Sequence, residues 1–329
     1  MSSRQIKTQS SGGPDSELPT PRHFFASDDT ALLSDVDVFD ESAPPSSLWR
    51  EAGRKLVRQP KFIVSVLLIA VILLAVAWPT LFTKVPKNSC DLSKSLDGPS
   101  AGHPLGFEKL GCDIFSRVVN GARPSVSVGV LTTLLVVIIG GLIGALAGWY
   151  GKWVDALLSR ITDIFFALPL VLAAIVFLQA FGQRGGFLGV FSVVAVMAAF
   201  GWPQMARITR SAVLAVKNSD FVTAAKAIGV SRGKILLKHA MPNAAAPMIV
   251  TATVSLGTYI VAEATLSFLG VGLPITTRSW GWQISDAKTM LRTAPEVLLW
   301  PAAALALTVL AFIMLGDAVR DALDPKARR

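Results

Sequence analysis

Six stretches of this sequence are long and apolar enough to cross a lipid bilayer, and nothing else in the chain restricts its fold as strongly. They cover residues 62–82, 126–149, 161–181, 187–206, 244–269 and 295–315. A helix needs roughly 20 residues to traverse the hydrocarbon layer. Composition agrees with this reading. Of the 329 residues 52% are hydrophobic and 16% are charged, against roughly a quarter charged in an ordinary soluble domain. The expectation is an all-α membrane protein with six transmembrane helices.

The charges orient these helices, because lysine and arginine are retained in cytoplasmic loops. Residues 48–61 are a basic, amphipathic lead-in, with Arg50, Arg54, Lys55, Arg58 and Lys61 set against Glu51. Such a segment fits an interfacial helix at the cytoplasmic headgroups. It starts the first transmembrane helix, 62–82, from inside. Six crossings then bring the C-terminal tail, 317–329, back to the cytoplasm. Residues 1–47 are rich in Ser, Pro and Asp and read as a disordered acidic cytosolic tail. Counted to residue 48, this part holds three Lys/Arg and eight Asp/Glu, whereas the whole chain carries +9, so the remainder is strongly basic. The basic excess suits membrane orientation; no nucleic-acid module accompanies it. No basic signal-peptide start precedes the first apolar run.

Residues 83–125 then form an external loop. It holds both cysteines, Cys90 and Cys112, in a compartment that favours oxidation. A bridge between them is expected, stabilising by about 3 kcal/mol through loop closure. Two free thiols are the alternative at this level. Residues 126–316 read as a five-helix core. Gly140, Gly144 and Gly148 recur every four residues, which bares one helix face for close packing. Asp163 stands one turn after Arg160 and is expected to pair with it. Pro169 and Pro203 read as kinks.

The loop at 207–243 is the most basic, with seven Lys/Arg and one Asp from Arg207 to His239. Its pattern predicts two short helices with a bend. Residues 221–228 are alanine-rich and helix-prone. Gly229 can take the left-handed turn that ends a helix. Ser231 can cap a second helix over 232–240, and Pro242 would stop it. Phe221, Val222, Ala225 and Ile228 fall on one apolar side. Two readings stand: a compact knob presented to a cytosolic partner, or a basic connector lying on lipid headgroups.

This loop resembles the cytoplasmic Glu-Ala-Ala loop of ABC-importer permeases. That pattern has Glu-Ala-Ala, three residues, then Gly, and a hydrophobic–Pro pair further on. Here it is Thr223-Ala224-Ala225, Gly229 and Met241-Pro242, with Thr223 in the Glu position. Four more stretches resemble the same family. His103–Ser125 is similar to its HPLGTD…GRD…SR…GAR segment, with Phe107-Glu108 and Cys112 as departures. Arg207 to Asn243 carries its Arg, His and Pro-Asn positions. Glu263 to Gly270, with Ser279-Trp280-Gly281, resembles E-x-x-LSFLG…SWG. Gly316-Asp317 through Arg320-Asp321-Ala322-Leu323-Asp324-Pro325 resembles its C-terminal signature. The matches cover about residues 48–326, in order, and are specific to the C-type permease subunit of dipeptide and oligopeptide ABC importers.

The resemblance implies a type I importer permease fold in the bacterial cell membrane. It implies a heterodimer with a second permease subunit, two ABC ATPase subunits and an extracytoplasmic substrate-binding protein. ATP and Mg would be bound by those ATPases, and no cofactor or metal by this chain. Phe221, Val222, Thr223, Ala224, Ala225, Ile228, Gly229 and Val230 would form the coupling helix that contacts the ATPase. The same family includes nickel and glutathione permeases.

The residues themselves offer no enzyme. Gly229 to Lys234 has one residue too few between its glycines for a phosphate loop, and Ile235 stands where Ser or Thr is needed. His23, His103 and His239 are scattered. Glu263 is an ionisable group within a span, expensive there and therefore a path or a structural acid. A reading from another class, a stand-alone secondary transporter, would need an ion relay, and Glu263 is the only mid-span carboxylate.

Overall fold

The computed structural model describes residues 48–181 and 186–323, and every regular element among them is helical. The acidic tail 1–47, the connection at 182–185 and Asp324-Pro325 lie outside the described residues. Eleven α-helices follow in order: α1 (Leu48–Arg58), α2 (Pro60–Ala77), α3 (Ile114–Tyr150), α4 (Lys152–Phe166), α5 (Leu170–Phe181), α6 (Gly186–Lys217), α7 (Asp220–Ala227), α8 (Arg232–Ile235), α9 (Met241–Phe268), α10 (Trp280–Ala287) and α11 (Glu296–Leu323). Helices α2, α3, α6, α11 and the run through α8 and α9 are each long and apolar enough to span a membrane.

The sixth span is a broken one. The expected helix 161–181 is two helices, α4 and α5, bent by 78°. Pro169 lies in the break. Without an N–H it cannot continue the ladder, and the residue before a proline is pushed out of the helical region. Pro124, Pro203, Pro247 and Pro301 sit inside continuous helices, so proline alone does not decide between kink and break.

Helix directions settle the count. A side chain at Gly140 would meet the Trp202 carbonyl, one at Gly144 the Ala206 carbonyl, and one at Gly148 the Arg210 carbonyl. The offsets advance together, so α3 and α6 run parallel, and their backbones nearly touch. The chain between them must return, and α4 with α5 makes that return. Gly129 faces Ile260 and Gly141 faces Met248, so α9 is antiparallel to α3. Gly257 faces Val309 and Gly316 faces Val254, so α11 is antiparallel to α9. Ile72, Ala75 and Val76 near the end of α2 pack on Ala122 and Val126 near the start of α3, so the start of α2, the end of α11 and α7 lie on one side of the bundle.

Several helices begin or end beyond the apolar runs. Helix α3 starts twelve residues ahead of the expected 126, because Asp113 caps it by accepting the Ser116 N–H at 2.7 Å. Its first turns carry Arg117, which is 97% buried but paired with Glu108. Helix α6 passes the expected end at 206 and continues to Lys217. Pro242 does not stop a helix: the chain is helical without a break from Arg232 to Phe268, and Pro242 sits in the first turn of α9, directly after a π-helical turn. Ser231 holds the N-cap position of α8 in extended backbone but makes no side-chain cap bond.

At the other end of the bundle, residues 83–113 fold into a small lobe. Cys90 and Cys112 are joined in a disulfide. Ladder-like bonds run Asp91 N–H to Gly111 O, Glu108 N–H to Cys112 O and Phe107 N–H to Asp97 O, each 3.0 Å. His103 Nδ1 lies 2.9 Å from Asp113 Oδ1. Ser116 Oγ donates to Val85 O at 2.7 Å, which pins the lobe to α3.

Candidate functional site

The Glu-Ala-Ala-like segment is now specific in shape. Val222 and Ala225 of α7 are buried in a cluster with Trp149, Val213, Ile235 and Leu236. Phe221 and Ile228 are not on that side: they are 45% and 80% exposed. The single apolar face expected from spacing is thus divided. At about 100° per residue the four positions cover a wide arc, and the bundle takes only one edge of it. Thr223 and Ala224 are exposed with Phe221 and Ile228. Gly229 closes the helix at φ +81°, the left-handed region that glycine enters freely. Val230 N–H returns to Ala225 O at 3.1 Å. After α8 comes one π-helical turn, Leu236–Ala240, where Leu237 is 70% exposed. The result is a short helix fastened by two small side chains, with an apolar and small-residue face turned outward.

A pocket of about 430 Å³ lies where α4 breaks. Its wall is Phe165, Phe166 and Pro169 from the elbow, Gln204 from α6, and Thr251, Ser255, Thr258 and Tyr259 from α9. Tyr259 OH donates to Gly201 O at 3.2 Å. The lining carries hydroxyls, an amide and aromatic rings, and no Asp, Glu, Lys or Arg. A second pocket of about 430 Å³ sits nearer α7. It is lined by Asp163, Arg207 and Arg210, among others. Here the expected Asp163–Arg160 pair is corrected: Asp163 Oδ1 accepts from Arg207 Nη2 at 2.7 Å. Asp155 holds Arg210 through two bonds, of 2.5 and 2.7 Å. Sequence reading missed this second pair, whose partners lie 55 residues apart.

Glu263 lines neither pocket. It is fully buried in α9, where Ser267 Oγ donates to its Oε1 at 2.7 Å. Ser267 Oγ also accepts Leu273 N–H at 3.1 Å, and Ser125 and Ser279 stand beside the carboxylate. Trp280 N–H donates to Ser125 Oγ at 3.0 Å, and its indole N–H to Val118 O at 2.8 Å. Gly281 lies so close to Ala264 that any side chain would collide with its backbone. These motif residues therefore seat the segment before and through α10 onto α3 and α9.

The comparisons with known proteins agree with this architecture. Residues 140–329 match the family described as binding-protein-dependent transport system inner membrane component. The chain is 38% identical over 282 residues to the dipeptide transport system permease protein DppC of Alkalihalophilus pseudofirmus, covering 86% of this chain and 91% of that one. It is 35% identical to the glutathione transport system permease protein GsiD of Pectobacterium atrosepticum, over 91% of this chain and 97% of that one. It is 35% identical to the oligopeptide transport system permease protein OppC of Bacillus subtilis, over 94% and 99%. Among solved structures, a chain of the MetNI methionine ABC transporter in an inward-facing conformation superposes with a TM-score of 0.52 at 18% identity, covering 63% of this chain and 96% of that one. That likeness concerns the fold. With a bundle of this topology, the matched domain and relatives aligned over nearly their whole length, this chain belongs to the family of binding-protein-dependent transport system inner membrane components, as a multi-pass permease of the bacterial inner membrane.

Proposed function

We propose that this chain is one half of the translocation path of an ATP-driven importer for di- and oligopeptides. The observation that carries the reading is α7. Its Val222 and Ala225 are locked into the bundle, while Phe221, Thr223, Ala224 and Ile228 face outward beside a basic surface. A helix held this way can receive a push from a partner without deforming. The partner is an ABC ATPase, bound on the cytoplasmic side, and ATP and Mg belong to it. A second permease subunit completes the path, and an external binding protein delivers the substrate. The chain itself supplies a wall and a lever, and no catalytic group.

Peptide is the favoured substrate because the relatives named above carry dipeptides, oligopeptides or glutathione, all linked by amide bonds. The uncharged, hydroxyl-bearing pocket suits such amides, since each can donate and accept. Glutathione is the second reading, favoured by the relative aligned over 91% of the chain. A stand-alone secondary transporter is disfavoured by the seclusion of Glu263, which is fully buried and lines neither of the two pockets described. The test is ATP-dependent uptake of a labelled dipeptide in vesicles holding the assembled partners, with unlabelled glutathione as competitor. Uptake that needs ATP and resists glutathione supports the peptide reading. Strong competition by glutathione shifts it to the second, and absence of any co-purifying ATPase removes both.

A further inference from the structure

Helix α4 is the least anchored part of the bundle core. Of its side chains only Thr162 is buried, while Trp153, Leu157, Ile164 and Phe166 are exposed. Toward α6 it makes aromatic contact at its far end, where the Phe165 ring lies 5.5 Å from Trp202 and 5.8 Å from Phe200. Two ion pairs add to this contact with α6. Arg210 grips Asp155 with both ends of its fork, at 2.5 and 2.7 Å. Arg207 donates to Asp163 at 2.7 Å and also lies 3.9 Å over the ring of Phe166. Phe166 is the last residue of α4, borders the 78° elbow and forms part of the uncharged pocket's wall. Both arginines stand on α6, whose end is fused to α7: two residues separate the helices, and Val213 and Val222 share one packed cluster.

We propose that Asp155–Arg210 and Asp163–Arg207 form a strap that carries displacement of α7, through α6, into α4, and so moves Phe166 at the pocket wall. The proposal rests on the permease reading above. Without the strap, few buried side chains of α4 would pass a movement of α6 on to it. A planar guanidinium fork transmits direction as well as distance, which a lysine ammonium cannot. The elbow at 167–169 is where the moving arm parts from α5.

The test measures dipeptide uptake and ATP hydrolysis on the same vesicles, with the complete transporter, and reads uptake per ATP. Asp155→Asn and Asp163→Asn, which keep shape and lose charge, are expected to lower that ratio about tenfold, the usual span of a coupling term. Arg210→Lys falls between them and the wild type. The exchange Asp155→Arg with Arg210→Asp recovers most of the loss. Ratios within about twofold of the wild type in both Asn variants overturn the strap. So does a parallel fall of uptake and hydrolysis, which marks a merely structural role. A wild-type complex that hydrolyses ATP but takes up no peptide overturns the permease reading instead. The strap is then read by alkylation of a thiol introduced by Thr258→Cys, since both native cysteines are bridged. ATP should change its rate in the wild-type background and not with Asp155→Asn; equal changes in both overturn it.

Discussion

The bridged lobe at 83–113 and the α7–α8 segment are both short, glycine-bearing stretches between long helices, yet their tightest glycines differ in what surrounds them. In the lobe, Gly106 and Gly111 have positive φ and no room: a methyl group would strike the backbone of residues 97–98 at one and of Asp91 at the other. In the α7–α8 segment, Gly229 also has positive φ, but a methyl group there would meet nothing within 4 Å, and the same is true at Gly233. Packing explains Gly106 and Gly111, while Gly102 of the lobe, also at positive φ, has nothing within 4 Å. No such crowding holds the α7–α8 glycines, and Phe221, Ile228 and Leu237 beside them are largely exposed. Residues without an internal reason point to an external one.

That contrast is broken or sharpened by four substitutions, in falling order of expected effect on stability. Gly111→Ala forces a backbone collision and a strained φ, and should cost about 3 kcal/mol or more; an unchanged melting temperature in detergent would mean the lobe is not tightly packed. Cys90→Ser removes a bridge spanning 22 positions, and should cost about 3 kcal/mol. Intact mass after alkylation should show no adduct on the native chain and two after reduction. Glu263→Gln keeps the side-chain volume and one acceptor for Ser267, so about 1 kcal/mol is expected, with the KM of uptake unchanged; a shifted KM would return this acid to the path. Ile228→Ala should change stability by less than about 0.5 kcal/mol, yet reduce the ATPase recovered on co-purification. If recovery is unaffected, the outward face of α7 is not the lever.

Much of the architecture was legible in the sequence because hydrocarbon imposes long apolar runs that few other contexts produce. The turn at Gly229 was legible for the same kind of reason, since few residues tolerate that conformation. What escaped depended on partners distant in sequence. Arg207 reaches Asp163 across 44 positions and Arg210 reaches Asp155 across 55, and no local spacing marks either pair. The start of α3 was hidden because Asp113 and Arg117 look like loop residues until Glu108 and the Ser116 N–H are brought to them. Pro169 reads as a kink, like Pro203, because neighbouring helices can satisfy the freed carbonyls; with four other prolines inside continuous helices, the residue alone does not mark the elbow. The outward turn of Phe221 and Ile228 could not be read from periodicity, which finds an apolar arc but not which part of it the bundle covers.

Along Gly140, Gly144 and Gly148 the backbone of α3 bears no side chain toward α6 and closes on the carbonyls of Trp202, Ala206 and Arg210. Two rods zipped at such short range can neither slip lengthwise nor roll without tearing every tooth at once. They act as a single stiff beam running from one face of the membrane to the other. A movement handed to α6 is then a movement of the pair, and relative displacement falls to the parts hung on that beam.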